Sequence, residues 1–368
     1  NLKNIITLKI IFRSFPLGDY TPFKYFSLSN KDSLKRNEIN LKLNTLNQYE
    51  KFIADIIPRI IPSIYIEDLK KILNFSNKIA LPKSPKLIIT AVSIWHDEIF
   101  KIWAAKNINK GSKLAILQHG GDYGYALVTP FEKHEEKISD QYFVWGWGKK
   151  DSNMINIPVH IVNKKDGAKF NQKGKITIVT NFLNENKYLS QIHSSWLHAK
   201  RSKRYTDNIS GLIKSLYGEV KAKMILRKFP LDNSIPKNIN QLLNQKKISL
   251  SNIKNMSIEL NSSKITIFTY SSTPFLESMV LDRPCLLFYD EFLEPIREDA
   301  KEYFNFLIEV NIIHITIDSL KNHLVNIEDG IEKWWNNNLV VDAKNLFCEK
   351  FARKKGSIIK TIKKNNSF

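Results

Sequence analysis

Residues 86–121, KLIITAVSIWHDEIFKIWAAKNINKGSKLAILQHGG, decide the fold. Lys86–Val92 is a short apolar run of the kind that forms a buried strand. Asp97–Gly111 places Phe100, Trp103 and Ala104 on one helical face, with a glycine just past the end where a left-handed residue closes a helix. Lys113–Gln118 is a second buried strand. Strand, helix and strand at this length make a βαβ crossover, which implies a parallel sheet. The second strand then runs into His119-Gly120-Gly121-Asp122-Tyr123-Gly124. The chain has only 13 glycines, and three of them fall between positions 120 and 124. Glycine is entropically costly and is used where a backbone turns sharply or approaches something closely. In an α/β protein a loop at a strand end is where ligand sites are built.

Upstream of this unit the pattern is mixed. Ile5–Phe12 reads as a strand, Leu41–Ile57 and Ile66–Phe75 carry helical apolar spacing, and Pro58, Pro62, Pro82 and Pro85 punctuate the segment. Downstream, Gln141–Trp145 is a strand ending in a second glycine turn. Residues 163–175, NKKDGAKFNQKGK, are polar with two glycines and read as a linker. A second α/β series follows: strands at 176–180, 223–227, 265–268, 285–289 and 312–317, helices near 208–217 and 274–281, and a helical tail over 320–352 in which Trp334 and Trp335 are placed to pack. The expected organisation is an acceptor-side half at 1–162, the linker at 163–175, and a donor-side half at 176–368, with a ligand cleft between the halves.

A length of 368 residues and 43% hydrophobic content suit two ordinary globular domains. Lys+Arg 56 against Asp+Glu 36 gives a net charge of +20. Such an excess fits anionic partners such as nucleic acid, membrane or phosphorylated substrates, and it equally fits an AT-rich coding bias that scatters lysine along the chain. The densest clusters are Lys200–Arg204, Arg353–Lys355 and Lys360–Lys364. Two cysteines, Cys285 and Cys348, are too few for a disulfide framework or a structural zinc site. Cys285 reads as a core residue, and the expected setting is reducing and cytoplasmic. No apolar run approaches the ~20 residues that span a bilayer. The first residue is Asn1 rather than Met, from which a missing upstream segment is expected.

Two constellations carry candidate chemistry. In TYSSTPFLESMVLDRPCLLFY, Thr269–Tyr289, a strand ends and Ser271, Ser272 and Thr273 stand directly before a helix beginning near Pro274. Proline suits the first helical turn, and a single hydroxyl is enough to cap it. Three hydroxyls at a helix N-terminus suit a phosphate, although capping alone stays open. Glu277 falls one turn into that helix, as a ribose contact or as an ordinary surface carboxylate. Arg227 ends a strand and is either a phosphate clamp or a surface arginine. In the first half, His119 in its glycine loop suits a general base or a donor to sugar or phosphate. Glu135, Glu136 and Asp140 follow as carboxylates that orient a base, act as one, or merely cap. Asp97 and Glu98 fit the first turn of a helix for dipole reasons alone. There is no P-loop, dinucleotide glycine fingerprint, HExxH, GxSxG or zinc spacing, and no nucleic-acid reader motif.

The stretches AAKNINKGSKLAILQHGGDYG, HEEKISDQYFVWGWG, YSSTPFLESMVLDRPCLLF and IEKWWNNNLVVDAKNLFCEKFA together resemble a family of transferases from bacterial surface-carbohydrate loci. These are distantly related to capsule-type Kdo transferases and CDP-glycerol glycerophosphotransferases. The resemblance covers residues 50–355. It implies an α/β GT-B-like architecture: two Rossmann-like parallel-sheet domains facing a cleft, with a C-terminal helical tail. It implies transfer of a sugar from a nucleotide-sugar donor to a glycan or lipid-linked acceptor, without a cofactor or metal. On that resemblance Gln118, His119, Gly120, Gly121 and Tyr123 belong to the acceptor-side loop, Glu136 and Asp140 to the acidic pair before WGW. Arg227, Ser271, Ser272, Thr273 and Glu277 belong to the donor side. Two departures stand out: such proteins usually carry a longer amino-terminal portion, and Asn181 stands where retaining relatives place a carboxylate. The alternatives are a phosphotransferase with a CDP-alcohol donor, and a non-enzymatic nucleic-acid-binding or scaffold protein. The basic excess adds peripheral contact with an anionic membrane at the inner face.

Overall fold

The computed structural model describes residues 28–39, 47–78, 81–160, 170–181, 199–229 and 235–366. The strand expected at Ile5–Phe12, the start of the helix expected at Leu41–Ile57 and most of the 163–175 linker lie outside these residues. The chain divides into two compact units, Asn1–Leu117 and Gln118–Phe368.

In the first unit, helices α1 (Ser33–Asn37), α2 (Gln48–Ile60) and α3 (Leu69–Lys78) precede strand β1 (Leu87–Thr90). A short helix α4 (Ser93–His96) and helix α5 (Glu98–Ile108) then lead to β2 (Lys113–Leu117). The two strands pair in parallel, Leu87 opposite Lys113, so the βαβ crossover is present. Asp97 caps α5 by accepting the Phe100 amide at 2.9 Å, and Gly111 closes the turn beyond it at φ +98°. Asp97 thus serves the helix. One core cluster here is Ile64, Ile72 and Ile99, with Phe75 and Ile102 against them.

The second unit opens with α6 (Pro130–Ile138), β3 (Gln141–Val144) and β4 (Met154–Asn156), the two strands parallel. Then come β5 (Lys175–Val179), α7 (Ala199–Leu216), β6 (Met224–Arg227), α8 (Lys237–Gln245), β7 (Ser249–Leu250) and α9 (Met256–Ser262). The chain continues with β8 (Ser263–Phe268), α10 (Thr273–Val280), β9 (Cys285–Phe288), α11 (Glu298–Glu309) and β10 (Ile313–His314). The tail is helical: α12 (Ile317–Ile327), α13 (Ile331–Trp335), α14 (Asn338–Phe351) and α15 (Ile358–Asn366).

Six of these strands form one parallel sheet in the order β7-β6-β5-β8-β9-β10. Counted from β5, that is the doubly wound order 3-2-1-4-5-6 of a Rossmann-like domain, whose strand order reverses between β5 and β8. Strands such as Met224–Arg227 and Cys285–Phe288 are buried at every position because helices cover both faces, which is why they read as unbroken apolar runs. Ile176, Ile178, Leu226, Ile265, Ile267 and Leu286 form the sheet's share of the core, packed by Ile209, Leu212 and Ile213 from α7. Cys285 and Cys348 are buried free thiols, and the burial of Cys285 and of Trp335 was expected. The last strand is shorter than the 312–317 run suggests, because Thr316 caps α12 and turns Ile317 into a helical residue.

Candidate functional site

Two loops of the second unit meet. The first, Gln118–Thr129, is fixed by groups pointing inward. Gln118 is fully buried: its amide donates to the Gly120 carbonyl at 2.8 Å, and its oxygen accepts from the Trp145 amide at 2.9 Å and Trp147 Nε1 at 2.8 Å. The Tyr125 hydroxyl accepts from the Asp122 amide at 2.8 Å and donates to the Ser271 carbonyl. Glu132 on α6 accepts from the Gly124 amide at 2.9 Å and from Arg297, which also donates to the Ala126 carbonyl.

The glycines explain themselves at the second loop. A Cβ on Gly121 would lie 2.6 Å from the Ser272 carbonyl carbon and the Thr273 nitrogen, and one on Gly120 would touch Thr273 Oγ1 at 3.0 Å. The Gly121 amide donates to Thr273 Oγ1 at 2.8 Å. The loop that was expected to approach a ligand approaches the start of α10.

At that start the three hydroxyls part company. Ser271 is buried, and its amide and hydroxyl both donate to Glu294, at 2.9 and 2.8 Å. Thr273 receives Gly121. Ser272 is the N-cap residue, in extended conformation, and its hydroxyl makes no capping hydrogen bond. N-cap serines ordinarily accept from the N2 or N3 amide; here N2 is Pro274, which has no amide hydrogen to give.

His119, Gly120, Gly121 and Tyr123 line one hollow of about 600 Å³ with Ser272, Thr273 and Glu277. Its floor is the carboxyl end of the sheet: Val179, Thr180 and Asn181 at the end of β5, Arg227 and Lys228 at the end of β6, and Tyr270 after β8. The hollow therefore sits at the β5/β8 switch point, where doubly wound domains bind ligands. Burial pushes the carboxyls of Glu277 and Asp122 up to about 7 each, and that of Glu294, also near the Asp122 charge, to about 8. All three line the hollow, and a protonated carboxyl does not repel an anion.

Arg227 lies on the hollow but its guanidinium is engaged. Nη1 pairs with the buried Glu259 at 2.9 Å and donates to the Ile253 carbonyl, and Nη2 donates to the Lys254 carbonyl at 2.8 Å. Those contacts tie the Arg227 guanidinium to the floor of the hollow.

His119 is approached from below. The Tyr123 hydroxyl is 3.1 Å from its Nδ1 and 3.2 Å from Glu135 Oε1, and Tyr142 donates to Glu135 Oε2 at 2.8 Å. Glu136 and Asp140 are not among the residues lining the hollow. Glu136 is half-buried and Asp140 is exposed in the turn between α6 and β3. The carboxylate beneath the histidine is Glu135. Spacing could have found it: Glu132, Glu135 and Ser139 recur at three and four residues and share the buried side of α6, whereas Glu136 is one step round. Glu294 was missed because it sits in an irregular turn with no periodicity. Among the described residues no group of three or more His, Cys, Asp or Glu side chains is arranged to hold a metal ion.

The chain matches the LIC12162 family transferase along residues 1–365. It belongs to that family. The resemblance to a transferase family read from the glycine loop and the Ser-Ser-Thr segment is thereby borne out. No curated protein matches this LIC12162 family transferase. It is similar to the solved structure of TarM at 12% identity and a TM-score of 0.46, covering 80% of this chain and 57% of TarM. It thus spans somewhat over half of TarM's length. It is similar to the spinosyn forosaminyltransferase SpnP at 11% identity and a TM-score of 0.42, covering 82% of this chain and 80% of SpnP. With the wall teichoic acid polymerase TagF the values are 12% and 0.37, covering 70% of this chain and 69% of TagF.

Proposed function

We propose that this family member is a GT-B-type glycosyltransferase that moves a sugar from a nucleotide-activated donor to a glycan or lipid-linked acceptor of the bacterial surface. The observation that carries this reading is the hollow itself: an imidazole, an uncapped serine hydroxyl and a helix N-terminus converge at the switch point of a Rossmann-like sheet. In this reading the donor phosphates rest against the Ser272 hydroxyl and the Thr273 amide, where the partial positive charge of α10 stabilises the leaving group as its negative charge grows. His119 takes the proton of the acceptor hydroxyl. Burial raises the Glu277 and Glu294 carboxyls to about 7 and about 8, which lowers the negative charge that an anion in the hollow would face. No step uses a metal or a cofactor. The acceptor half ends at the 163–175 linker and the donor half begins at 176.

The basic excess suits the anionic donor and a membrane face on which the glycan grows. Among the described residues no helix is long and apolar enough to cross a membrane. The test is nucleotide release by the purified protein from a panel of nucleotide sugars and CDP-alcohols. Turnover of a nucleotide sugar that falls at least about a hundredfold in His119→Gln and about tenfold in Ser272→Ala supports the reading. Turnover confined to a CDP-alcohol replaces it with phosphotransfer, and turnover indifferent to both substitutions removes the site.

A further inference from the structure

We infer that the hydroxyl of Tyr270 is a hydrogen-bond donor to a phosphate oxygen of the bound nucleotide, beside Ser272 and the Thr273 amide. The inference rests on the proposed seating of the donor phosphates at the start of α10, and it adds a residue to that seat.

A buried phenol ordinarily finds a partner for its O–H. Among the described residues six tyrosines are buried: Tyr123, Tyr125, Tyr142, Tyr205, Tyr270 and Tyr289. Five of them comply. Tyr123 and Tyr142 meet Glu135, and Tyr125 meets the Asp122 amide and the Ser271 carbonyl. Tyr205 meets the Asn181 amide and Thr269 Oγ1, each at 2.6 Å, and Tyr289 donates to the Glu294 carbonyl. Tyr270 is the exception. It is only 7% exposed, yet its hydroxyl has no hydrogen-bond partner among the described residues. Nor is it an enclosed orphan like His323 Nε2: Tyr270 lines the hollow of about 600 Å³, and its oxygen keeps accessible surface there.

The backbone on either side is fixed. The Thr269 amide and hydroxyl both donate to the Val179 carbonyl, at 3.2 and 3.0 Å, and Ser271 is held by Glu294 through its own amide and hydroxyl. Tyr270 is thereby positioned between β8 and α10, two residues before Ser272. The groups whose charges act on the phenol are Asp122, Glu294, Arg227 and Glu277, all of which line the same hollow. Burial first, then the charges of Asp122 and Glu294, push the phenol well above its ordinary range, so it keeps its proton. None of the three carboxyls is within hydrogen-bonding reach to accept that proton. A phenol O–H that the protein leaves without an acceptor is matched by a group that only accepts, and a phosphate oxygen is such a group.

The test is calorimetric titration of wild type, Tyr270→Phe and Ser272→Ala with UDP, CDP, ADP, GDP and inorganic pyrophosphate, beside urea unfolding of each unliganded protein. Tyr270→Phe is expected to weaken binding of the diphosphates about tenfold, the effect of one hydrogen bond to a charged group. Its urea midpoint is expected to stay at the wild-type value, because no partner is left unpaired. Tyr205→Phe, which strips two partners, is expected to lower the midpoint. A midpoint that falls as far in Tyr270→Phe as in Tyr205→Phe overturns the inference, since the hydroxyl would then be a strut. Undiminished diphosphate binding in Tyr270→Phe also overturns it, and where Ser272→Ala still weakens binding the phosphate seat itself survives. A loss seen only with nucleotide sugars places the phenol on the sugar and overturns it as well. No binding of any diphosphate to the wild type removes the seat and the inference together. Should Tyr270→Phe fail to fold, a crystal structure of the wild type with a bound diphosphate decides: the phenol oxygen is expected within hydrogen-bond distance of a phosphate oxygen, and a phenol turned away from it overturns the inference.

Discussion

Two loops border the hollow, and they use their polar groups in opposite ways. In Gln118–Thr129 the polar groups that shape the loop are turned inward: Gln118 on the tryptophans of the WGW segment, Tyr125 on Ser271, and the Gly124 amide on Glu132. In Ser271–Glu277, Ser271 and Thr273 are likewise engaged, but Ser272 heads the helix without capping it, and Glu277 faces the hollow with its carboxyl pushed up. The first loop is a scaffold holding one imidazole in place; the second keeps a helix start available. Rigidity and readiness have been assigned to different segments, which touch where the Gly121 amide donates to Thr273 Oγ1 and Tyr125 donates to the Ser271 carbonyl.

The largest effect is expected on the scaffold side of the floor. Arg227→Met leaves Glu259 buried without its partner and should cost about 4 kcal/mol of stability. That loss should appear in urea unfolding with no ligand present, which a phosphate clamp would not predict. Next, Gly121→Ala forces a methyl group into the Ser272–Thr273 backbone and should cost about 3 kcal/mol. Gly111→Ala, which meets no atom within 4 Å and suffers only from its φ of +98°, should cost about 1 kcal/mol. Equal losses at the two glycines would mean that the loops do not touch as described.

On the ready side the signs separate. Ser272→Ala should change stability by less than about 0.5 kcal/mol, since no cap is lost, while weakening nucleotide binding about tenfold in a calorimetric titration. A stability loss of the size usual for an N-cap serine would show that the hydroxyl caps after all. The smallest effect concerns pH. The Glu277 carboxyl, raised from 4.5 to about 7, gains charge as pH rises through 7 and should weaken nucleotide binding about threefold between pH 6 and 8. Glu277→Gln should flatten that slope. By the same sign, a carboxyl protonated in the folded state and ionised in the unfolded one makes stability fall as pH rises from the ordinary carboxylate range to about 7.

The parallel-sheet halves were legible because a strand covered on both faces is a short apolar run, as in Met224–Arg227 and Cys285–Phe288, and because Gly111 marks where α5 stops. The meeting of His119 with Ser272 and Thr273 was legible only as two strand-end loops that each looked built for a ligand. What each polar group does was not. Gln118 and Arg227 have the residue types of ligand contacts, and only their buried partners Trp147 and Glu259, 29 and 32 residues away, show that they are struts. Glu135 and Glu136 differ by one position in the chain and by about a hundred degrees around α6, so choosing between them required the helical phase.

The most direct measurement is a crystal structure of the protein with a nucleoside diphosphate that it binds. A phosphate oxygen within hydrogen-bond distance of Ser272 Oγ and the Thr273 amide, in the same hollow as His119, is the predicted result. A diphosphate seated elsewhere on the chain, or no nucleotide bound at millimolar concentration, would contradict the account.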